Sequence, residues 1–570
     1  MEVLYSINGV SHRPDKAEGI KFHISFTDPI SELELGVNRV TLNNQAYDEL
    51  NRFKSTQGFH EGIPYDITIR TPLKDYTLNY FIDLTENAIF RDSDCEVTVR
   101  KRNGYGAFMD QADGLSYEAL NLIKPITGIL DVKYIIQRDD QEAKLITLIL
   151  ASIILTKALN DQLKALADIL SEIGSGIGAI AGALKAIYMI LYTIALVASL
   201  IKMVKDIMGI IFPLVRTFKA NTVQNLIKQG VEYLDYRNGK KYKLSSTLLQ
   251  EISKMTVLPV PLQKVNKSIF LFDINSLNKS FTKGYPTALD TTPTVGSLIR
   301  AVCTTFNAVV RIIDGVVHIE RKYYWKNLAG TTIHNTLSLQ ATRENQREYN
   351  TGDTWKRYEL LYRLDPSDVH TLDNVSVTDS EWSTDVISPI NADLKLVKGL
   401  QKKEIPFSYG IPKRELSFVE KRVQTVAKLA DNVINTLGGN SNLQSLIEGR
   451  IGVLQISQQH YTVTKLLWIQ SGKIPTNYEN FTRTGNILAK YHTTNKVKEN
   501  FKRIESTEVP FSNFQFDLLY KNNFVKDSVT GNELEILNFD WSPELASASI
   551  EYAVSASNEA KNIKTTVING

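Results

Sequence analysis

Cysteine is nearly absent from the chain: Cys95 and Cys303 are the only two in 570 residues. A pair so far apart cannot staple a fold of this size, so the cores must come from apolar burial, as suits a reducing cytoplasm. Cys303 falls on the apolar side of a predicted helix, where a thiol behaves as a small buried hydrophobe. Histidine is scarce as well. The eight, at positions 12, 23, 60, 318, 334, 370, 460 and 492, make no HExxH, no H-x₃-H and no zinc spacing with cysteine, so no metal set is expected.

Excess charge of either sign is also missing. Lys plus Arg number 65 against 62 Asp plus Glu, a net of +3, which leaves no field for nucleic acid, and no specific nucleic-acid recognition is expected. The stretch "MEVLYSINGVSHRPDK" has no apolar run of signal-peptide length, so synthesis and folding in the cytosol are expected.

Signatures of catalysis are lacking too. There is no G-x-S-x-G elbow and no Gly-rich loop ending in GKS or GKT, and "GKKYK" at 239–243 is an ordinary basic turn. Asp92 and Asp94 in "RDSDCE" lack the Gly and the late Glu of a calcium loop. The carboxylate pairs Asp139-Asp140 and Asp365 with Asp368 read as polar helix starts or turns, without the apolar pocket that raises a catalytic pKa. No catalytic residue, cofactor or metal is therefore nominated, and the chain is expected not to be an enzyme.

Proline is absent from 138 to 212, and there the chain changes character. "EAKLITLILASIILTKALNDQLKALADILSEI" is followed by "GSGIGAIAGALKAIYMILYTIALVASLI", whose only charge is Lys185. Two long helices folded as a hairpin are predicted over 138–230, inserted between β domains. The uncharged run Ala186 to Ile201 spans roughly 24 Å as helix, short of the ~30 Å bilayer core. Extending it takes in Lys185, at about 2.5–3.5 kcal/mol if held mid-membrane. A buried hairpin, a membrane-seeking segment and a weak G-x-G dinucleotide match are the three readings; the last lacks a preceding strand. Gly174, Gly178 and Gly182 are predicted to form a small-residue face for close helix packing.

The remainder predicts an α+β multidomain chain with two β-barrel-like or sandwich domains. Residues 1–137 hold "IKFHISF", "NRVTLN", "YDITIR", "YTLNYFIDL" and "CEVTVRKRNG", alternating stretches of an N-terminal β domain. Residues 231–410 form a mixed α/β region with a helix–hairpin unit at 294–325, where Val295, Leu298, Ile299, Val302, Cys303 and Phe306 keep helical spacing. Asp314-Gly315 then marks a type I′ turn. Over 411–455, Leu416, Val419, Val423, Val426, Ala430, Val433 and Leu437 repeat at 3,4 spacing, a heptad seam that needs a partner helix, either internal or from a homotrimer. Residues 456–570 return to strands in "HYTVTKLLWIQSG", "NFQFDLLY", "LEILNFDW" and "SASIEYAV", a C-terminal β domain.

The unit "GSLIRAVCTTFNAVVRIIDGVVHIERKYYW", with "IPTNYENFTRTGNILAKYHTTNKV", "EVPFSNFQFDLL" and "FDWSPELASASIEYAV" downstream, resembles tail hub proteins of tailed bacteriophages. In style it is closest to hub or baseplate proteins of phages infecting Bacteroidota, including crAss-like ones. The resemblance implies a structural virion protein, assembled in the host cytoplasm into a homo-oligomer, a trimer or sixfold ring, in the tail. Its partners would be tube or adaptor proteins above and fibre or tip proteins below. The apolar hairpin departs from a plain hub; where several meet on an axis they would plug the channel until genome ejection. The runner-up expectation is a membrane-inserting or pore-forming effector acting through 138–230, in contact with a host membrane, and a weaker one is a cell-wall hydrolase fused to a tail tip.

Overall fold

The structure, a computed structural model, describes residues 2–27, 29–31, 33–56, 62–101, 108–136, 139–174, 179–211, 215–237, 239–259, 285–286, 293–322, 324–325, 336–337, 348–350, 355–368, 382–386, 398–436, 442–456, 461–492, 502–527, 533–555 and 563–567. The fold class is the expected one: mixed helices and strands, a half-barrel sheet, a second sheet closed almost into a barrel, and an apolar helical insertion.

In the strand Ile63–Arg70, Ile63, Tyr65, Ile67 and Ile69 are fully buried while the residues between them are not, the period-2 pattern of a sheet with one covered face. Its neighbours in the half barrel run in the order Val10–His12, Glu2–Ile7, Ile63–Arg70, Asp75–Asp83, Asp94–Lys101, Arg39–Asn43.

The division into a separate N-terminal domain at 1–137 and a C-terminal one at 456–570 is not followed by the cores. Phe22–Ser25 pairs with Glu533–Ser542, setting Phe22 opposite Trp541 and Ile24 opposite Phe539. One core joins Tyr5, Phe22, Ile67 and Val97 to Phe516, Phe539 and Trp541. Alternation reveals that a stretch is a strand but not which strand it meets. A second core takes residues 108–134 from the supposed N-terminal domain and 461–491 from the supposed C-terminal one.

The second core surrounds a seven-stranded sheet in the order Ser408–Tyr409, Lys465–Trp468, Met255–Leu258, Val215–Thr222, Leu130–Ile136, Leu454–Ile456, Ile411–Pro412. Beside it lies the helix–hairpin unit as expected. Thr294 and Ser297 close a capping box on the helix Val295–Phe306, and the turn between Ala308–Ile313 and Val316–Arg321 has positive φ at both Asp314 and Gly315, as a type I′ turn requires.

One predicted strand is a helix. "NFQFDLLY" lies within the helix Asn513–Lys521, whose Ser512 and Gln515 form a capping box and whose Phe516, Asp517 and Leu519 are buried. Two turns of helix satisfy the ends through that box, which the aromatic content of the stretch had masked.

Candidate functional site

The predicted hairpin is present, with different bounds. A first arm, Asp139–Gly174, and a second arm, Ala179–Ile211, are joined by a short connection and pack against each other along their length. Each is about 50 Å long at 1.5 Å per residue. Residues 215–231, expected to belong to the hairpin, instead form the strand Val215–Thr222 and the helix Val223–Val231 of the body. Both arms spring from adjacent antiparallel strands, Leu130–Ile136 and Val215–Thr222, so the hairpin replaces what elsewhere is a short turn.

The predicted small-residue face lies partly outside the described residues. Gly174 ends the first arm, Gly182 lies inside the second, and Gly178 falls outside the described residues.

Inside the hairpin the second arm turns Ala186, Met189, Val197 and Leu200 toward the first, where Leu159 and Ile169 are buried with them. Among the described residues much of its remaining surface is open. Ile187 is 55% exposed, Tyr188 70%, Leu191 61% and Ile194 57%. The 19-residue stretch Lys185–Met203 is long and apolar enough to cross a bilayer, yet only 11% of it is buried. Two of its hydroxyls are satisfied within the helix: Thr193 donates to the Met189 carbonyl at 2.7 Å and Ser199 to that of Ala195 at 2.9 Å. These two therefore ask little of a neighbour.

The first arm is different. Lys157, Asp161, Lys164 and Asp168 are all exposed at 4,3,4 spacing, which lines them along one side of the helix. The first arm thus shows a charged stripe to solvent beside exposed Ile154, Leu163 and Leu170, while the described middle of the second arm shows no such stripe.

The heptad seam has an internal partner in its described part. The helix Phe418–Thr436 crosses the base of the hairpin, and Leu416, Val423, Ala427 and Ile447 share a core with Leu159, Val197 and Leu200. We term it the clasp helix. Leu416 precedes it and Leu437 lies outside the described residues; the side chains of Val419, Val426, Ala430 and Val433 are likewise not described. The buried line includes Glu420, Ala427 and Asp431, so it departs from a strict a/d seam. Residues 411–412 and 454–455, given to the heptad segment, belong to the sheet strands Ile411–Pro412 and Leu454–Ile456.

A buried ion cluster anchors the clasp. Glu420 takes Lys413 Nζ at 2.5 Å and Arg450 Nε at 2.7 Å, and all three side chains are under a tenth exposed. Ser417 and Glu420 complete a capping box: Ser417 N donates to Glu420 Oε2 at 2.8 Å and Glu420 N to Ser417 Oγ at 3.3 Å. Burial alone pushes the Glu420 carboxyl up, but Arg450, Lys413 and the hydrogen bonds outweigh it and hold it below the usual range. On Arg450 burial prevails and lowers the guanidinium despite its partner. The sequence signal for this anchor was the S-x-x-E of "SFVE".

The carboxylates Asp365 and Asp368 stand in a turn, as expected, but both are buried. Asp365 accepts from Thr462 N and Val463 N, each at 3.0 Å, and from Thr462 Oγ1, while Asp368 binds Lys465 Nζ at 2.6 Å. Their lone pairs serve to tie a loop to the central sheet. Cys95 and Cys303 are both buried and free. Among the described residues no three His, Cys, Asp or Glu side chains converge as a metal set. A cleft of about 530 Å³ on the half barrel is lined by Glu34, Arg39, Tyr80, Glu86 and Arg100, with Arg39 paired to Glu96 and Arg100 to Glu86.

No family model, curated protein or solved structure matches the chain. The feature that asks for a function is the second arm, an apolar helix left largely uncovered by its own chain.

Proposed function

We propose that the chain is a structural protein of a phage tail, an oligomeric hub that joins tube or adaptor proteins to the distal tip. In this reading the hairpins of neighbouring copies cover one another and close the central channel before ejection. The observation that carries it is the second arm: a helix apolar on all sides belongs in a core or in lipid, and only 11% of Lys185–Met203 is buried within one copy. The clasp helix and the Glu420 cluster support a resting role, since they fix the hairpin base to the body. Two curled sheets agree with the barrel-like domains that the resemblance to tail hubs implies. Co-fractionation tests the reading: the protein should travel with intact virions and leave with their tails.

A second reading, insertion into a host membrane, is favoured by the length of Lys185–Met203. Against it stand Lys157, Asp161, Lys164 and Asp168, which a membrane-spanning hairpin would carry into the bilayer at about 2.5–3.5 kcal/mol each near its centre. Leakage of dye-loaded vesicles on adding the intact chain would favour this alternative.

A further inference from the structure

The exposed surface of the second arm has an order that identifies what covers it. Ile187, Leu191, Ile194, Ala198 and Ile201 recur at 4,3,4,3 spacing and all but Ile201, which is half-buried, are exposed. Ile201, at one end, packs against the core of Leu159 and Leu200, and Ile187, Leu191, Ile194 and Ala198 form a second seam, apart from the one facing the first arm. It holds no hydroxyl and no charge, whereas the neighbouring line of Tyr188, Tyr192, Ala195 and Ser199 carries three hydroxyls. In heptad terms Leu191 and Ala198 occupy a positions, and Ile187, Ile194 and Ile201 occupy d; Leu at a with Ile at d disfavours pairs and favours larger bundles.

Ile187, Leu191 and Ile194 of the seam, with Tyr188, Ile190 and Tyr192 beside it, are each between 42% and 70% exposed, together roughly 600 Å² of surface, the top of the range for patches on monomers. That is the low end of the about 600–1,000 Å² that a standard interface takes from each partner. The polar stripe Lys157, Asp161, Lys164, Asp168 on the other arm decides the orientation: it must stay in water.

We infer that more than two copies of this chain pack their second arms in parallel around a common axis through the Ile187–Ala198 seam, with the first arms outside. This rests on the oligomeric reading above and adds the face, the orientation and the minimum number. Cyclic symmetry sets each seam residue beside its own counterpart, so a thiol placed there meets another thiol. The native thiols do not interfere, since burial pushes both Cys95 and Cys303 up to about 12 and leaves them inert at neutral pH.

The test uses the full-length protein without detergent, with Ile194→Cys or the milder Ala198→Cys on the seam and Lys164→Cys on the polar stripe. Each is treated with a short bifunctional maleimide after its solution mass has been measured. The expected result is a shift of the seam variants to a two-chain band, with Lys164→Cys remaining single and the particle mass exceeding two chains. The inference is overturned if the particle is a dimer, or if an intact oligomer couples through Lys164→Cys and not through the seam. A monomeric particle removes the hub reading itself. A monomer that sediments only with phosphatidylglycerol vesicles makes lipid the cover of the seam and overturns the inference as well.

Discussion

Ile135 and Val215 face each other across adjacent antiparallel strands, although the whole helical hairpin lies between them in the chain. The strand pair that begins at Leu130 and Ala220 is thus closed at its far end by an excursion of two long helices. Sheet and excursion are joined at two chain crossings and by the clasp helix, and this separation makes their roles testable apart.

Replacing residues 136–214 with a two-residue Asn-Gly turn should leave the body folded, because Ile135 and Val215 already stand in register. Circular dichroism should lose helix and keep strand signal, and the protein should become a soluble monomer by light scattering. Loss of cooperative unfolding in the remainder would mean that the hairpin is part of the body's core.

Glu420→Gln should release the clasp helix. The change removes the carboxylate charge that buried Lys413 and Arg450 pair with, a loss of about 3–5 kcal/mol for breaking one partner of a buried pair. Hydrogen exchange in 418–436 should rise steeply while exchange in Ile63–Arg70 stays unchanged.

The same cluster sets an acid limit. Glu420 titrates lower in the fold than in the unfolded chain, so its contribution is complete above the ordinary carboxylate value, about 4.3, and is lost as pH falls through its depressed folded value. The protection factors of the clasp helix should therefore be flat from neutral pH down to that range and fall below it, and in Glu420→Gln this step should vanish.

Gly315→Ala should destabilise the helix–hairpin unit by about 1–3 kcal/mol. Gly315 has φ +75°, and an added Cβ would lie 2.6 Å from the Tyr236 ring. A fall in Tm checks this; an unchanged Tm would mean that the ring moves freely.

Much of this architecture was legible in the residues, and the losses have physical causes. The helical spacing from Val295 to Phe306, the Asp314-Gly315 turn and the alternation within "YDITIR" are local signals, and each is found as read. Pairing of Phe22 with Trp541 is not local, and no periodicity within either strand reports it. "NFQFDLLY" was misread because Phe and Tyr content was weighed above the Ser512–Gln515 box. The hairpin was visible as an uncharged run, but its covered and bare sides required knowing where the first arm lies, and the Glu420 cluster required three segments to meet.

The central claim is that copies of the chain cover the second arm, and an image of the purified, detergent-free protein at low resolution addresses it most directly. The account expects a closed ring with the hairpins converging on its axis. A dispersed monomer, or a ring with the hairpins on its outer rim, would contradict it.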